Sequence, residues 1–299
     1  MKSEMAEAHE RKVKRILSRD WSELRDWWID HVPNISPSGS PPSDALAELT
    51  SLEARLKAIT KNQVEEVAED LPGVRAGLLH ESLFLLHKSA HVLGSSLVHV
   101  EAGMCTWSIS NAYQSAFFGI KAVMGFLGVC VLEVENRHFL VDVWGAPHKP
   151  RKNLKPPIIV LANTRRNEQR HVWAYFQRTL EQTINHESAW STQVQSTLVQ
   201  PEFTDFGRQR NALHYQTSEW PLADLHQCVA NPEFARRVTL LDDSRPDWTV
   251  LIAFLVVNIA RGLLADLARS SRILAEELEV VDAWLGQPFN ERFHQATSA

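Results

Sequence analysis

The stretch that most constrains the fold is Trp107-Ser-Ile-Ser-Asn-Ala-Tyr-Gln-Ser-Ala-Phe-Phe-Gly-Ile-Lys-Ala-Val-Met-Gly-Phe-Leu-Gly128, where alanines and other small residues interleave with aromatic and aliphatic ones. It reads as a buried helix that ends at a glycine, with Tyr113, Phe117 and Met124 in the core. Glu101-Ala-Gly103 breaks the chain just before it. The helix expected over Val74 to Val98 therefore folds back against it as an antiparallel partner.

A chain of 299 residues, 44% hydrophobic and 22% charged, can build one large domain or two small ones around a sizeable core. The three cysteines, Cys105, Cys130 and Cys228, are widely spaced and form no CxxC pair, which argues against a disulfide framework or a zinc knuckle and fits a reducing cytoplasm. The first dozen residues are charged and carry no apolar signal core. The most apolar stretch, Trp248 to Ala268, contains Asn258, Arg261 and Asp266, so it reads as a core helix rather than a membrane span. A net charge of −5 exerts no global pull on nucleic acid. Any RNA affinity has to come from a local patch.

In chain order, Val13, Leu17, Trp21, Leu24 and Trp28 mark an amphipathic helix from Met5 to Trp28, within an N-terminal unit of residues 1–31. The proline- and serine-rich residues 32–43 form a linker, on which that helix is free to swing or to dock on another subunit. The main domain is expected over 44–289, with a polar tail at 290–299. Ser43-Asp44 caps a second helix running to about Glu69, stopped by Asp70-Leu-Pro-Gly73. On the next helix His80, His87 and His91 fall on one stripe, which reads either as a metal or proton-relay face or as the polar face of a packed helix. The stripe lacks a neighbouring carboxylate or cysteine at ligand spacing, so no metal site is assigned.

After Gly128 the pattern alternates as Val129-Cys-Val-Leu-Glu-Val-Glu135, a turn at Asn136-Arg137 and His138-Phe-Leu-Val-Asp-Val-Trp144, the signature of an inserted β-hairpin. Between His148 and Arg170 stand seven basic residues, among them Lys149, Arg151, Lys152 and Lys155, against the single acid Glu168. Such a cluster contacts a phosphate backbone or is a solvated, proline-bounded loop. Ile158 to Ala162 can add a strand. Asn167 to Val199 reads as one helix. A last long helix starts at the cap Asp247 and continues through Glu279, followed by a short piece from Val281 to Phe289.

The chemistry-bearing stretch is Phe206-Gly-Arg-Gln-Arg-Asn-Ala-Leu-His-Tyr215. A histidine exchanges protons near neutral pH, and an arginine forks onto phosphate oxygens, so the pairing suits work on a phosphodiester. Five residues separate Arg208 from His214. Together with the alanine-rich helix and the apolar final helix, this resembles the HEPN superfamily of all-helical domains, many of them ribonucleases marked by an arginine four to six residues before a histidine. The resemblance implies a mainly α fold: a HEPN-like antiparallel helical bundle with an N-terminal helical extension and the small hairpin inserted with the basic segment at about 129–170. It also implies a homodimer whose paired motifs share a cleft, needing no metal or other cofactor, and a toxin or phage-defence setting with a neutralising or activating partner protein.

Carried onto this chain, the resemblance gives Arg208 the scissile phosphate and His214 the proton transfer as the RNA 2′-hydroxyl attacks. Gln209 follows Arg208 where the family often has Asn, Asp or His. Asn211 follows Arg210 instead, and on an ideal helix Arg210 and His214, at i and i+4, share a face. Arg208, Arg210, Asn211 and His214 are therefore the catalytic candidates, with Tyr215 and the four cations Lys149, Arg151, Lys152 and Lys155 as substrate-binding candidates. The rival reading is a catalytically inactive HEPN-like module for dimerisation, nucleotide sensing or protein binding. The same motif residues on an amphipathic helix can instead satisfy buried carbonyls.

Overall fold

The computed structural model describes residues 10–31 (12 and 15 excepted), 37, 39, 42, 45–60, 64–67, 71–101, 104–144, 158–163, 168–199 and 248–297. The fold is mainly α. In chain order it comprises β1 (Arg19–Asp20), α1 (Trp21–His31), α2 (Ala45–Ala58), β2 (Val64–Val67), α3 (Pro72–Glu101), α4 (Cys105–Phe126), β3 (Val129–Val134), β4 (Arg137–Asp142) and β5 (Ile158–Asn163). There follow α5 (Glu168–Glu181), β6 (Thr183–Ile184), α6 (Thr192–Leu198), α7 (Trp248–Ala268) and α8 (Arg272–Thr297).

Four long helices, α3, α4, α7 and α8, make the central bundle. The α3–α4 seam is built on serines seven residues apart. Ser89 and Ser115 donate to each other's carbonyls at 2.7 and 2.8 Å, and Ser96 donates to the Ser108 carbonyl at 2.8 Å. One step of seven up α3 matches one step of seven down α4, so the pair is antiparallel. The small side chains let the backbones approach, and no buried hydroxyl is left unpaired in that seam. On its other flank α4 receives α7 at Gly119, where a Cβ would stand 2.7 Å from Val256 Cγ1. Helix α7 is apolar nearly all round, as a central helix must be. Thr249–Ala268 is long and apolar enough to cross a membrane, yet 72% of its most apolar window is buried by the surrounding elements.

Helix α8 runs parallel to α3. His87 meets Glu277 and, one turn further along α3 and two further along α8, His91 meets Trp284. Because α7 and α8 are joined by a three-residue turn and clasped by Arg261 on Asp282 at 2.5 and 2.7 Å, α7 is parallel to α4. The bundle thus has two helices running each way. The final helix expected to continue through Glu279 instead stops at Ala268 and restarts at Arg272. Gly286, at φ 71° and ψ 164°, kinks α8 again.

Beside the bundle lies an antiparallel sheet of four strands in the order β2-β5-β4-β3, larger than the hairpin expected. The β3–β4 turn falls on Glu135 and Asn136, with φ of 52° and 61°, one residue earlier than the alternation suggests. Two positive φ values in a two-residue loop match the right-handed twist of the flanking strands. The helix expected to reach Glu69 ends at Ala58, and Val64–Val67 becomes a strand against β5. Arg137 explains the stop, since its guanidinium donates to the carbonyls of Ile59 at 2.9 Å and Lys57 at 3.0 Å, groups that a helix end leaves open.

The N-terminal apolar stripe is sunk in this same core: Val13, Ile16, Leu17, Trp21, Leu24 and Trp28 are all buried. The single helix expected over Met5 to Trp28 is interrupted at Ser18 to Asp20, where β1 pairs with β6. The interruption serves Arg19. Its Nε donates to the Leu127 carbonyl at 2.6 Å and its NH2 meets Asp142 Oδ1 at 3.0 Å, while Trp28 Nε1 donates to the Phe126 carbonyl at 2.7 Å. Two open carbonyls at the end of α4 are thereby closed, just before Gly128 turns the chain at φ 72°.

The helix expected over Asn167 to Val199 is likewise two helices. Between them Asn185 adopts φ 54°, His186 stacks on Trp190 at 4.5 Å, and Ser191 caps α6 through Val194 N–H. This corner packs on α7 at Gly262, where a Cβ would collide with the Ala189 backbone.

Candidate functional site

The motif residues Arg208, Arg210, Asn211, His214 and Tyr215 lie outside the described residues, as do Lys149, Arg151, Lys152 and Lys155. The structure nevertheless fixes the ends from which both segments depart. Lys149 to Lys155 connect β4 to β5, whose register pairs Asp142 with Ile159. The two ends of β5, Ile158 and Asn163, are about 17 Å apart for five strand steps. The basic run, continuous in sequence, is divided by a strand.

The motif segment leaves α6 and returns at Trp248. Helix α5 is parallel to α4, because Tyr113 donates to Gln169 at 3.0 Å near its start and the Gln182 carbonyl accepts from Arg19 at 3.3 Å beyond its end. Helix α6 runs back along α5, with Gln177 Nε2 donating to the Leu198 carbonyl at 3.2 Å and Gln195 to that of Leu180. It therefore points to the end of the bundle where α4 and α7 begin and α3 finishes. That end is where the motif segment rejoins the core.

The described groups there are both polar and apolar. Asn111 Nδ2 lies 3.2 Å from Ser95 Oγ and 3.1 Å from His99 Nδ1. With the amide donating, His99 Nδ1 is the acceptor of this contact. Val98, Met104 and Trp107 are exposed around the α3–α4 turn. Sequence reasoning passed over His99 because it falls off the stripe of the other three histidines. The available signal was Ser95 and His99 at i and i+4, with Asn111 just across a short helical turn.

Two members of the His80, His87 and His91 stripe make contacts across the α3–α8 seam, while His80 Nε2 is buried without a hydrogen-bond partner among the described residues. His87 Nε2 is 2.5 Å from Glu277 Oε2 at the α3–α8 seam, and the His91 ring stands edge-on to Trp284 at 4.5 Å. Among the described residues, no group of three or more His, Cys, Asp or Glu side chains could hold a metal ion.

A cleft between α3, α4 and β3 is lined by Leu78, Ser82, Leu85, Met124 and Cys130, with Glu81 and Lys121 at its edge. Its volume of about 40 Å³ takes two or three waters, far less than a nucleotide needs. Burial, followed by the charges of Glu81 and Asp142, pushes the Cys130 thiol up, so it is protonated at neutral pH and not a nucleophile. Burial pulls Arg19 down and Asp142 opposes it, which marks a structural ion pair rather than a substrate clamp. The bond to Asp282 raises Arg261 more than its partial burial lowers it.

The class these observations define is a mainly α protein: a four-helix bundle flanked by an antiparallel sheet and a buried N-terminal segment. No protein family, curated protein or solved structure matches this chain.

Proposed function

We propose that this chain is a metal-independent endoribonuclease of HEPN type, acting as a cytoplasmic homodimer in a toxin or phage-defence role. The observation that carries the reading is the stretch from Arg208 to His214, which places Arg, Arg, Asn and His within seven residues. A long helical bundle, to which both ends of that segment are tied, supports it. In the reaction His214 handles the proton while the RNA 2′-oxygen forms a bond to phosphorus, the bond to the 5′-oxygen breaks, and the leaving oxygen is protonated. Arg208 or Arg210 offsets the charge that grows on the phosphoryl oxygens. Lys149, Arg151, Lys152 and Lys155 hold the backbone.

The test is incubation of a labelled mixed-sequence RNA with the purified protein and with His214→Ala, both in EDTA. Cleavage by the wild type alone, leaving 2′,3′-cyclic phosphate ends, is the expected result. Intact RNA in both reactions overturns the enzyme reading. A second reading, a binding module without catalysis, is favoured by the large apolar side chains exposed on α3 and α8.

A further inference from the structure

The seam serines divide the surface of the α3–α4 pair. Lys88 and Ser95 each precede a seam serine by one residue on α3, and Trp107 and Gln114 do the same on α4. Each step is about 100° in the same rotational sense. For antiparallel helices, equal rotations lead to the same outer side. Contacts across the seam agree: Lys88 Nζ stands 4.2 Å from the Phe118 ring centroid, and Asn111 Nδ2 reaches Ser95 at 3.2 Å and His99 at 3.1 Å. On α4 this face runs Trp107, Asn111, Gln114, Phe118, Lys121 in steps of four and three, about 21 Å from end to end. Trp107 is 55% exposed, and Lys88 and Gln114 are exposed beside it.

The chemistry of this face selects its occupant. From Ser82 to Leu132 the sequence carries a single acid, Glu101, in a chain with 36 Asp and Glu. Among the described side chains of α3 and α4, the acid on this side is Glu81, about 27 Å along α3 from His99 and next to Lys121 at the cleft. Lys88 has no carboxylate partner among the described residues. Its ammonium rests on Phe118, and that of Lys121 lies 5.1 Å from the Phe117 centroid. The middle of the strip therefore offers an uncompensated cation, the rings of Trp107 and Phe118, and the exposed Gln114 amide. Phosphate suits the cation, base faces suit the rings, and a base edge suits the amide. An apolar helix would leave the ammonium and the amide unmatched, and a carboxylate-rich peptide would leave the rings unused.

We infer that this face of α3 and α4 binds single-stranded RNA, with Trp107 stacking on a base, Lys88 meeting the phosphate backbone and Gln114 reaching a base edge. The strip has room for about four nucleotides, the short end of single-strand sites. Its Trp107 end is the end of the bundle at which the segment carrying Arg208 to His214 rejoins the core. The assignment rests on the reading of RNA as this chain's ligand and does not require cleavage.

The test uses the full chain and a labelled 2′-O-methyl RNA about twelve nucleotides long, which lacks the attacking hydroxyl and stays intact whether or not the chain is a ribonuclease. Fluorescence anisotropy is read over a salt series for the wild type, Trp107→Ala, Lys88→Gln and, as a control at another exposed indole, Trp284→Ala. Circular dichroism and sedimentation velocity are run on the same samples. With the fold intact, Trp107→Ala should weaken binding about tenfold, Lys88→Gln should lower the logarithmic salt slope by about 0.7, and Trp284→Ala should bind as the wild type does. No binding by the wild type, equal weakening by Trp284→Ala, or binding indifferent to both Trp107→Ala and Lys88→Gln overturns the inference. So does polyglutamate that competes as well as the unlabelled oligonucleotide, which assigns the face to an acidic protein, or a dimer that Trp107→Ala turns monomeric, which assigns it to a second copy. Binding as expected with ordinary RNA left uncleaved overturns the ribonuclease reading alone. His214-dependent cleavage with binding unaltered in both strip variants overturns this inference alone.

Discussion

Replacing Asp142 by Asn keeps the shape of the side chain but removes the negative charge opposite Arg19. Both side chains are fully buried, and Arg19 also donates to the carbonyls of Leu127 at 2.6 Å and Ser18 at 2.7 Å. The guanidinium is therefore held by three elements and has no route to water. In the wild type Asp142 opposes the downward pull of burial on the Arg19 pKa; in the variant only that pull remains. Breaking such a pair from one side costs about 3–5 kcal/mol, at least about a fifth of a typical stability of ~5–15 kcal/mol.

The assay is urea unfolding of wild type, Asp142→Asn, the single variants Arg19→Met and Asp142→Leu, and the double variant Arg19→Met/Asp142→Leu, at low and at about 1 M salt. We expect the loss in Asp142→Asn to survive high salt, since a buried pair is poorly screened. The double variant should lose less than the two single variants together. A loss below about 1 kcal/mol, or one that salt abolishes, refutes the argument, because it means water reaches the pair.

Three further outcomes follow from particular sites. Gly262→Ala gains up to ~1 kcal/mol of helix propensity yet should lose about 1–3 kcal/mol overall, because the new methyl meets the Ala189 backbone rather than a movable side chain; a higher unfolding midpoint contradicts this. Cys130 contributes a pH dependence. Its folded pKa is raised above the ordinary 9.0, so the unfolded chain releases the proton first and stability falls as pH rises past that value. The slope is below ~1.4 kcal/mol per pH unit, since the residue is partly exposed, and comparison with Cys130→Ala at pH 8 and above isolates it. Neutralising Lys149, Arg151, Lys152 and Lys155 should weaken RNA binding and flatten its salt dependence, by up to about four in the logarithmic slope. An unchanged slope removes those four cations from the interface.

Much of the helical frame was legible from periodicity. The stripe Val13, Leu17, Trp21, Leu24 and Trp28 is buried as its spacing requires, and the stretch from Trp107 to Gly128 is the central helix it resembles on paper. Boundaries were less legible where a distant group decides them. Val64-Glu-Glu-Val67 has its valines three apart, a helical interval, and becomes a strand because β5 supplies backbone partners and Arg137 closes α2 before it. The break at Ser18 to Asp20 has no glycine or proline to announce it. It exists because Arg19 must reach Leu127 and Asp142, both more than a hundred residues away.

The candidate site divides in the same way. Sequence alone determines that Arg208, Arg210, Asn211 and His214 are close neighbours with the chemistry for a phosphodiester, because that is a matter of residue type and short spacing. It also determines the apolar faces, since burial of those stripes drives the bundle together whatever the connections. Only the tertiary structure decided that the strand legible at Ile158 to Ala162 pairs with both β2 and β4. It also decided that His87 meets a carboxylate and His91 an indole. Those are relations between distant segments, set by the direction in which each helix crosses the core, and a linear pattern carries no information about direction.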